Sequence, residues 1–180
     1  EKLEKAGHAF NPAADKGTLI RRITFDLTGL PPSLGEIDKF LADNAPGSYE
    51  RLVDRLLASE HFGEHWARHW LDIAGYSDSE GYTTSDTVRS WSWKYRDYIV
   101  QAFNDNMPFD QFIREQLAGD EMVTPPFKNL TVAQQSKLVA TGFLRMAPDG
   151  TGSGPDDQNI ARNQVVADTL QIVSSYLLGL

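Results

Sequence analysis

Three of the four histidines in the chain stand four residues apart in the stretch HFGEHWARHW, at His61, His65 and His69. Two histidines four apart on a helix can bind one metal ion together, as they do in zinc proteases. Those enzymes carry H-E-x-x-H, a string that this sequence lacks, and three histidines on successive turns span about 12 Å, too far for one ion. A metal site is therefore restricted to a pair, with His65 and His69 as weak candidates, and the alternative is a core histidine beside two surface ones.

The helix predicted over residues 60–74 gathers its large apolar side chains in one arc when it is projected at about 100° per residue. These side chains are Phe62, Trp66, Trp70 and Ile73. His69 falls at the edge of the arc, so we predict that it is half-buried among aromatic rings. Arg68 and Asp72 fall on a more polar flank, together with His61. His69 is therefore the histidine of most interest.

The composition excludes several classes of function. The formal net charge is −8, whereas binding to nucleic acid or to anionic lipid needs clustered Lys and Arg. No apolar run approaches the roughly 18–20 residues of a membrane span. The absence of cysteine excludes disulfides, thiolate metal sites and a cysteine nucleophile within these residues. The chain starts at Glu1 and stops within an apolar helical pattern, so we expect a fragment of a larger multi-domain protein.

Apolar residues recur at spacings of three and four along almost the whole chain, and strand signals are close to nil. This pattern predicts one irregular all-α domain over residues 1–180, with about seven or eight helices. Two long polar loops, 75–90 and 147–159, interrupt it, and loops of that length are often functional.

Local signals mark the starts of three helices. Ser33 with Glu36, and Thr131 with Gln134, have the spacing of a capping box, in which each side chain satisfies a free backbone N–H of the first turn. Ser48 is a candidate N-cap for the helix that follows it.

The first polar loop concentrates carboxylates at Asp78, Glu80 and Asp86, with Trp91 and Trp93 close behind in the sequence. Carboxylates beside stacking aromatics suit a sugar-binding or sugar-hydrolysing site, and a solvated acidic loop is the alternative. The G-x-S-x-G, P-loop and G-x-G-x-x-G strings are absent. The residues alone therefore do not name a reaction.

Five strings, taken in order, resemble the helical domain of unknown function in the planctomycete cytochrome c-associated family. They are LIRRITFDLTGLPPS, YERLVDRLLAS, WARHWLDIAGYSDSEGY, YRDYIVQAFNDNMPFDQFIREQLAGD and LVATGFLRM. The resemblance covers nearly all 180 residues. It implies a large exported or periplasmic protein with further domains, in which a C-x-x-C-H haem c motif follows the segment resembling LQIVSSYLLGL. No cofactor is then expected within this fragment, and haem c is expected in the full-length protein.

The resemblance also implies a functional cluster. Its members are Arg68, His69, Trp70, Asp72, Tyr76, Asp78, Arg96, Asp97 and Asp120. His69 is a candidate distal haem ligand or propionate partner, and Arg68 and Arg96 are candidates to neutralise propionates. The alternative is a core histidine that is hydrogen-bonded to Asp120 or Asp97. His61 and His65 depart from the family pattern, which weakens the metal hypothesis.

Three functions are therefore candidates for this chain. The first is support of redox chemistry or electron transfer near a haem attached downstream, with other domains of the same chain or a redox protein as partners. The second is carbohydrate binding or processing that uses the acidic loop. The third is a non-catalytic scaffold module in which the charged residues only brace the helices.

Overall fold

The computed structural model describes residues 2–9, 12–80, 86–146 and 158–179. It confirms the all-α fold class: within these ranges there is no strand, and a single antiparallel bridge pairs Ser79 with Val88. Most of the second predicted loop, 147–157, lies outside the described residues, as do 81–85 of the first. Nothing among the described helices is both long and apolar enough to cross a bilayer.

The bounds of the helices are α1 Lys2–Lys5, α2 Lys16–Thr28, α3 Leu34–Ala42, α4 Ser48–Leu57, α5 Glu60–Ala74, α6 Ser92–Asn104, α7 Phe109–Ala118, α8 Val132–Ala140 and α9 Gln158–Ile172. The connections between α2 and α6 are short except for the one after α5, and a longer connection, 119–131, separates α7 from α8. A 3₁₀ turn, Thr141–Arg145, follows α8, and a π-helical turn, Val173–Leu177, follows α9.

Both predicted capping boxes are confirmed. The Ser33 amide donates to Glu36 Oε2 at 2.8 Å while the Glu36 amide donates to Ser33 Oγ. The Thr131 amide donates to Gln134 Oε1 at 2.9 Å, with the reciprocal bond also present. Each box satisfies backbone donors that α3 or α8 would otherwise leave without an acceptor.

The start of α4 differs from the prediction. The helix begins at Ser48 itself, so Ser48 is not the N-cap. Gly47 precedes it with φ 76° and no side-chain capping bond. Glycine adopts this left-handed conformation at little cost, so the chain turns into α4 at Gly47 rather than at a hydroxyl cap.

The chain forms two compact units, residues 1–61 and 62–180. In the first unit α2 packs against α3 and α4 around a small apolar core. This core consists of Ile20, Phe40, Leu52 and Leu56. The expectation that the chain is one domain of a longer protein stays a prediction.

The second unit has the larger core and carries the candidate site. In it α6, α7, α8 and the 3₁₀ turn pack together. The buried residues of this core are Ala67, Trp70, Ala74, Tyr95, Tyr98, Ile99, Ala102, Phe112, Ala140, Phe143 and Met146. Ile172, Val173 and Leu177 near the end of the chain pack against it.

The buried face of α5 is not the predicted aromatic arc. The residues buried on this helix are Gly63, Ala67, Trp70 and Ala74. Three of the four are small, and a stripe of small residues lets a neighbouring helix approach closely. Trp66, which the projection placed in the core, is 37% exposed.

Candidate functional site

A close contact between α5 and α6 positions the candidate site. A Cβ on Gly63 would lie 2.4 Å from the Val100 carbonyl oxygen and 2.5 Å from Asn104 Oδ1, so only glycine fits there. The Gly63 amide is one of the first four of α5, which have no acceptor within the helix, and it donates to Asn104 Oδ1 at 2.7 Å. Backbone contact at this point fixes the side chains of the two helices relative to one another.

Beyond this contact, α5 and α6 line a groove of about 630 Å³, which we call the Arg68 groove. Its apolar residues are Ala67, Leu71 and Val100. Its polar residues are Glu64, Arg68, Asp72, Tyr76, Arg96, Asp97 and Gln101. The groove therefore joins a small apolar surface to a dense set of charged groups, and it is more polar than most ligand sites, which are lined predominantly by apolar side chains.

Five of the nine residues predicted from the resemblance line this groove, although they come from three separate stretches of sequence. They are Arg68, Asp72, Tyr76, Arg96 and Asp97. Arg68 and Asp72 are one turn apart on α5 and therefore point to the same side of the helix. Glu64, one further turn back, and Gln101 on α6 were not predicted; the four-residue spacing of Glu64 from Arg68 was the available signal.

Asp78 is attached to the edge of the groove through Tyr76. The Tyr76 hydroxyl donates to Asp78 Oδ1 at 2.7 Å, and the Ser92 hydroxyl donates to the same oxygen at 3.1 Å. Bonds that favour the carboxylate lower the pKa of Asp78, with Tyr76 as the larger cause. The pKa of Tyr76 is raised, first by burial and then by its bond to Asp78. Asp78 is thus held as an anion at neutral pH.

The two arginines of the groove differ in their bonding. Arg96 donates from Nε and Nη2 to Asp97 Oδ1 at 3.0 and 2.8 Å, and this bond raises the pKa of Arg96. In the described part of the chain, Arg68 and Asp72 make no hydrogen bond or ion pair with a side chain. Opposite charges on one helix face that do not pair with each other can both contact a ligand.

His69 does not occupy the predicted position. It is exposed rather than half-buried, and within the described residues it forms no hydrogen bond with Asp97 or Asp120. Its ring contacts Trp66 at 5.3 Å and His65 at 6.1 Å between centroids. The cause is the rotation of α5 toward its small residues, which turns His69 away from the core.

The metal hypothesis for His65 and His69 gains no third ligand. Among the described residues, no three histidine, aspartate or glutamate side chains come close enough to hold one ion. A pair of imidazoles alone leaves two of the four coordination positions of Zn²⁺ without a protein ligand.

Trp70 belongs to the core of the second unit and not to the groove. It is 6% exposed, and its Nε1 donates to Tyr95 Oη at 3.0 Å and to Gln116 Oε1 at 3.2 Å. Tyr95 in turn donates to Gln116 Oε1 at 2.5 Å. Burial raises the pKa of Tyr95, so the network remains neutral. Asp120 is exposed after the end of α7 and does not line the groove.

A second buried polar group was not predicted. Glu115 is 3% exposed and accepts hydrogen bonds from the Tyr98 hydroxyl at 3.1 Å and from Gln111 Nε2 at 2.9 Å. Burial, followed by the charge of Glu115, raises the pKa of Tyr98. No local pattern distinguishes this carboxylate from the exposed ones, since its burial depends on how α6 and α7 pack.

The carboxylates of the predicted acidic loop do not form a free cluster. Glu80 forms an ion pair with Arg89 at 3.0 Å, and Asp78 accepts the two hydroxyl bonds described above. Asp86 also has an interaction partner. The loop carboxylates thus have interaction partners within the fold. The candidate site for a carbohydrate is therefore the Arg68 groove and not the loop.

Comparison with known proteins gives one result. No curated protein and no solved structure matches this chain. The model of the family described as PSCyt2, protein of unknown function (DUF1549), matches residues 1–180. The expected resemblance to a helical domain of unknown function is confirmed at that level. Because the match covers the whole sequence, the chain belongs to the PSCyt2 family of proteins of unknown function.

Proposed function

We propose that this chain is the helical part of an exported, c-type cytochrome-like protein and that it supports electron transfer near a haem c. Covalent attachment of haem c uses two cysteines, and these 180 residues contain none, so the haem would be attached elsewhere in the full-length protein. A haem supplies one-electron chemistry whose potential depends on its ligands and surroundings. The task of this chain would be to contact and orient that group.

The exposed imidazole of His69 is the observation that carries this proposal. Within the described residues it makes no hydrogen bond, and its ring rests against Trp66, which is itself 37% exposed. A histidine in this state has a ring nitrogen available for haem iron or for a propionate. Trp66 adds a flat apolar surface that suits the face or edge of a macrocycle.

The Arg68 groove suits a haem less well than this surface does. Propionates would find Arg68 there, but also the carboxylates of Glu64, Asp72 and Asp97. Like charges brought together in a groove of this kind repel. The haem contact is therefore assigned to the His69 and Trp66 surface.

The test is an absorption spectrum of the full-length protein, matured in a host that attaches haem c. The wild type is compared with His69→Ala and with His8→Ala, a control at another exposed histidine. We expect a Soret band that shifts in His69→Ala alone. A band that is unchanged in both variants would remove His69 from the haem, and the absence of any haem would remove the redox proposal.

A second candidate function, binding of a neutral polyhydroxylated ligand such as a sugar, is favoured by the Arg68 groove. Arg68 and Asp72 offer a donor and an acceptor that nothing in the described chain uses, above the apolar side chains of Leu71 and Val100. Sugars present hydroxyls to such pairs and C–H faces to such apolar surfaces. This function does not require the haem.

Calorimetric titration with xylo- and cello-oligosaccharides tests the second function. Removing one partner of a charge-assisted hydrogen bond costs about 1.5–3 kcal/mol, so Arg68→Gln and Asp72→Asn should each weaken binding by tenfold or more. Arg114→Gln is the matched control, because Arg114 pairs with Asp110 on an exposed face outside the groove. No binding by the wild type, with a loss of stability in the Arg68 and Asp72 variants, would leave the scaffold role as the better explanation.

A further inference from the structure

An apolar pocket of about 260 Å³ opens in the second unit, between α5, the end of α6 and the start of α7. We call it the Phe109 pocket. Its floor consists of the buried residues Trp70, Ala102 and Phe112, and the exposed residues Asn106 and Phe109 lie at its mouth. The half-buried residues that complete its walls are Phe62, Phe103 and Met107.

Aromatic rings dominate the lining of the Phe109 pocket. Five of the eight described residues that line it are aromatic. Trp70 meets Phe112 edge to face, with 4.7 Å between the ring centroids, and Phe109 stacks on Phe112 at 6.3 Å. Such contacts between rings contribute free energy beyond the burial of their area. A further ring that enters the pocket can make contacts of the same two kinds, so the lining favours an aromatic ligand over an aliphatic one.

The Phe109 pocket offers no counter-charge to a ligand. None of the described residues that line it carries a charge. Trp70 Nε1 already donates to Tyr95 and Gln116, so this residue presents only its apolar ring to the pocket. The Asn106 side chain makes no hydrogen bond within the described chain, and its amide can both donate and accept. A charged ligand would lose its hydration here without a compensating partner, so the ligand is neutral.

The Phe109 pocket is also distant from the point where a charged segment leaves the described chain. Of the internal segments outside the description, only 147–157 contains charged residues. Met146, which precedes this segment, lies at the end of α5, since its carbonyl oxygen is 3.8 Å from the Cβ position of Gly75. Phe62 lies at the start of this 15-residue helix, about 20 Å away along the axis.

We propose that the Phe109 pocket binds a small neutral aromatic molecule of one or two fused rings that carries an N–H or O–H group. An apolar cavity of about 150 Å³ holds benzene, so the 260 Å³ of this pocket leave room for a second fused ring. The ring of the ligand packs on Trp70 and Phe112, and its N–H or O–H donates to Asn106 Oδ1. The proposal is independent of the haem and of the Arg68 groove.

The first probe is indole, with the anion indole-3-carboxylate as its counterpart, each titrated by calorimetry into the 180-residue chain. We expect the anion to bind at least tenfold more weakly than indole, because the pocket does not repay the loss of its hydration. A second pair separates aromatic from aliphatic ligands of one ring. Phenol should bind about twofold to tenfold more tightly than cyclohexanol, which cannot make ring-to-ring contacts.

Met107 reports where the ring binds. The chain has three methionines, of which Met107 lines the pocket whereas Met122 and Met146 do not. A bound aromatic ring shifts the NMR signals of nearby methyl groups. Titration with indole should therefore shift the methyl signal of Met107 and leave those of Met122 and Met146 nearly unchanged.

Variants at the mouth of the pocket test its two kinds of contact. Phe109→Ala removes one wall and should weaken indole binding several-fold. Asn106→Gly removes the amide and should weaken it about twofold to tenfold; glycine is chosen because Asn106 has φ 48°. Phe127→Ala is the matched control, because Phe127 is 52% exposed and lies outside the pocket, whereas Phe109 is 65% exposed. The melting temperature of each variant confirms folding.

Four outcomes would overturn the proposal. They are no binding of indole, equal affinities for indole and its carboxylate, a Met107 methyl signal that does not shift, and an affinity that is the same in Phe109→Ala as in Phe127→Ala. Binding of a Phe-containing amphipathic peptide without binding of indole would also overturn it and would assign the pocket to a protein segment.

Discussion

The contact between α5 and α6 at Gly63 makes a sharp prediction about stability. Alanine is usually the better helix former, by about 0.8–1.0 kcal/mol. At Gly63, however, the added Cβ would lie 2.4 Å from the carbonyl oxygen of Val100 and 2.5 Å from Oδ1 of Asn104. Two of the nearest atoms therefore belong to the facing helix, and one of them is backbone that cannot move without moving α6.

The magnitude follows from two costs and one gain. Overpacking a tight contact costs about 1–3 kcal/mol. Separating the helices also breaks the 2.7 Å bond from the Gly63 amide to Asn104, and a buried donor that loses its acceptor costs about 1–3 kcal/mol. Set against the gain in helix propensity, we expect Gly63→Ala to lose about 2–4 kcal/mol of the free energy of unfolding.

Thermal unfolding followed by circular dichroism measures this loss. For a chain of this length, it corresponds to a fall in melting temperature of roughly 5–15 °C. Gly35→Ala is the matched control, because a Cβ there meets nothing within 4 Å, and its melting temperature should stay the same or rise. A Gly63→Ala variant as stable as Gly35→Ala would refute the inferred helix contact.

Two further predictions concern carboxylates. The pKa of Glu36 is lowered from its usual 4.5, first by the Ser33 hydroxyl, so the contribution of Glu36 to stability is present above pH 4.5 and is lost as the pH falls through the lowered pKa. In urea titrations between pH 2 and 7, Glu36→Gln should make the free energy of unfolding less dependent on pH on the acid side. A pH dependence equal to that of the wild type would contradict this prediction. Tyr76→Phe removes the main hydrogen bond to Asp78, so the pKa of Asp78 should rise toward its usual 3.8, as measured by carboxyl NMR titration. A pKa that does not change would show that the hydrogen bond from Ser92 alone keeps it low.

Local features of the fold could be predicted from the sequence because their physics is local. The capping boxes at Ser33 and Thr131 depend on side chains three residues apart, and both formed as expected. The rotation of α5 is not local. Its aromatic arc is the most apolar face, yet the buried stripe that includes Gly63 and Ala67 is turned from it by about 70°. The face of α5 that is buried is therefore the one that allows close packing of the backbones, and not the one with the largest apolar area.

The candidate site was predictable only in part, for the same reason. Arg68 and Asp72 follow from helical spacing, and the resemblance added Tyr76 and Arg96 from distant stretches. The quantity that the sequence pattern did not indicate was the orientation of each helix relative to the core. Without it, His69 was predicted to be half-buried when it is exposed, and nothing in the string around Glu115 indicated a buried carboxylate.

The buried network of Trp70, Tyr95 and Gln116 has a consequence for how sequences of this family diverge. Trp70 Nε1 can only donate, and the Gln116 carbonyl oxygen receives both Trp70 and Tyr95. Replacing Gln116 by an aliphatic residue would leave the Tyr95 hydroxyl without its acceptor, although Trp70 Nε1 could still donate to Tyr95 Oη. Replacing Tyr95 by Phe as well would then leave Trp70 Nε1 without an acceptor. The three positions should therefore covary across family members, with an aliphatic residue at position 116 accompanied by residues without donors at positions 70 and 95. Such correlated change would record a pairing between residues that are 25 and 46 positions apart in the sequence.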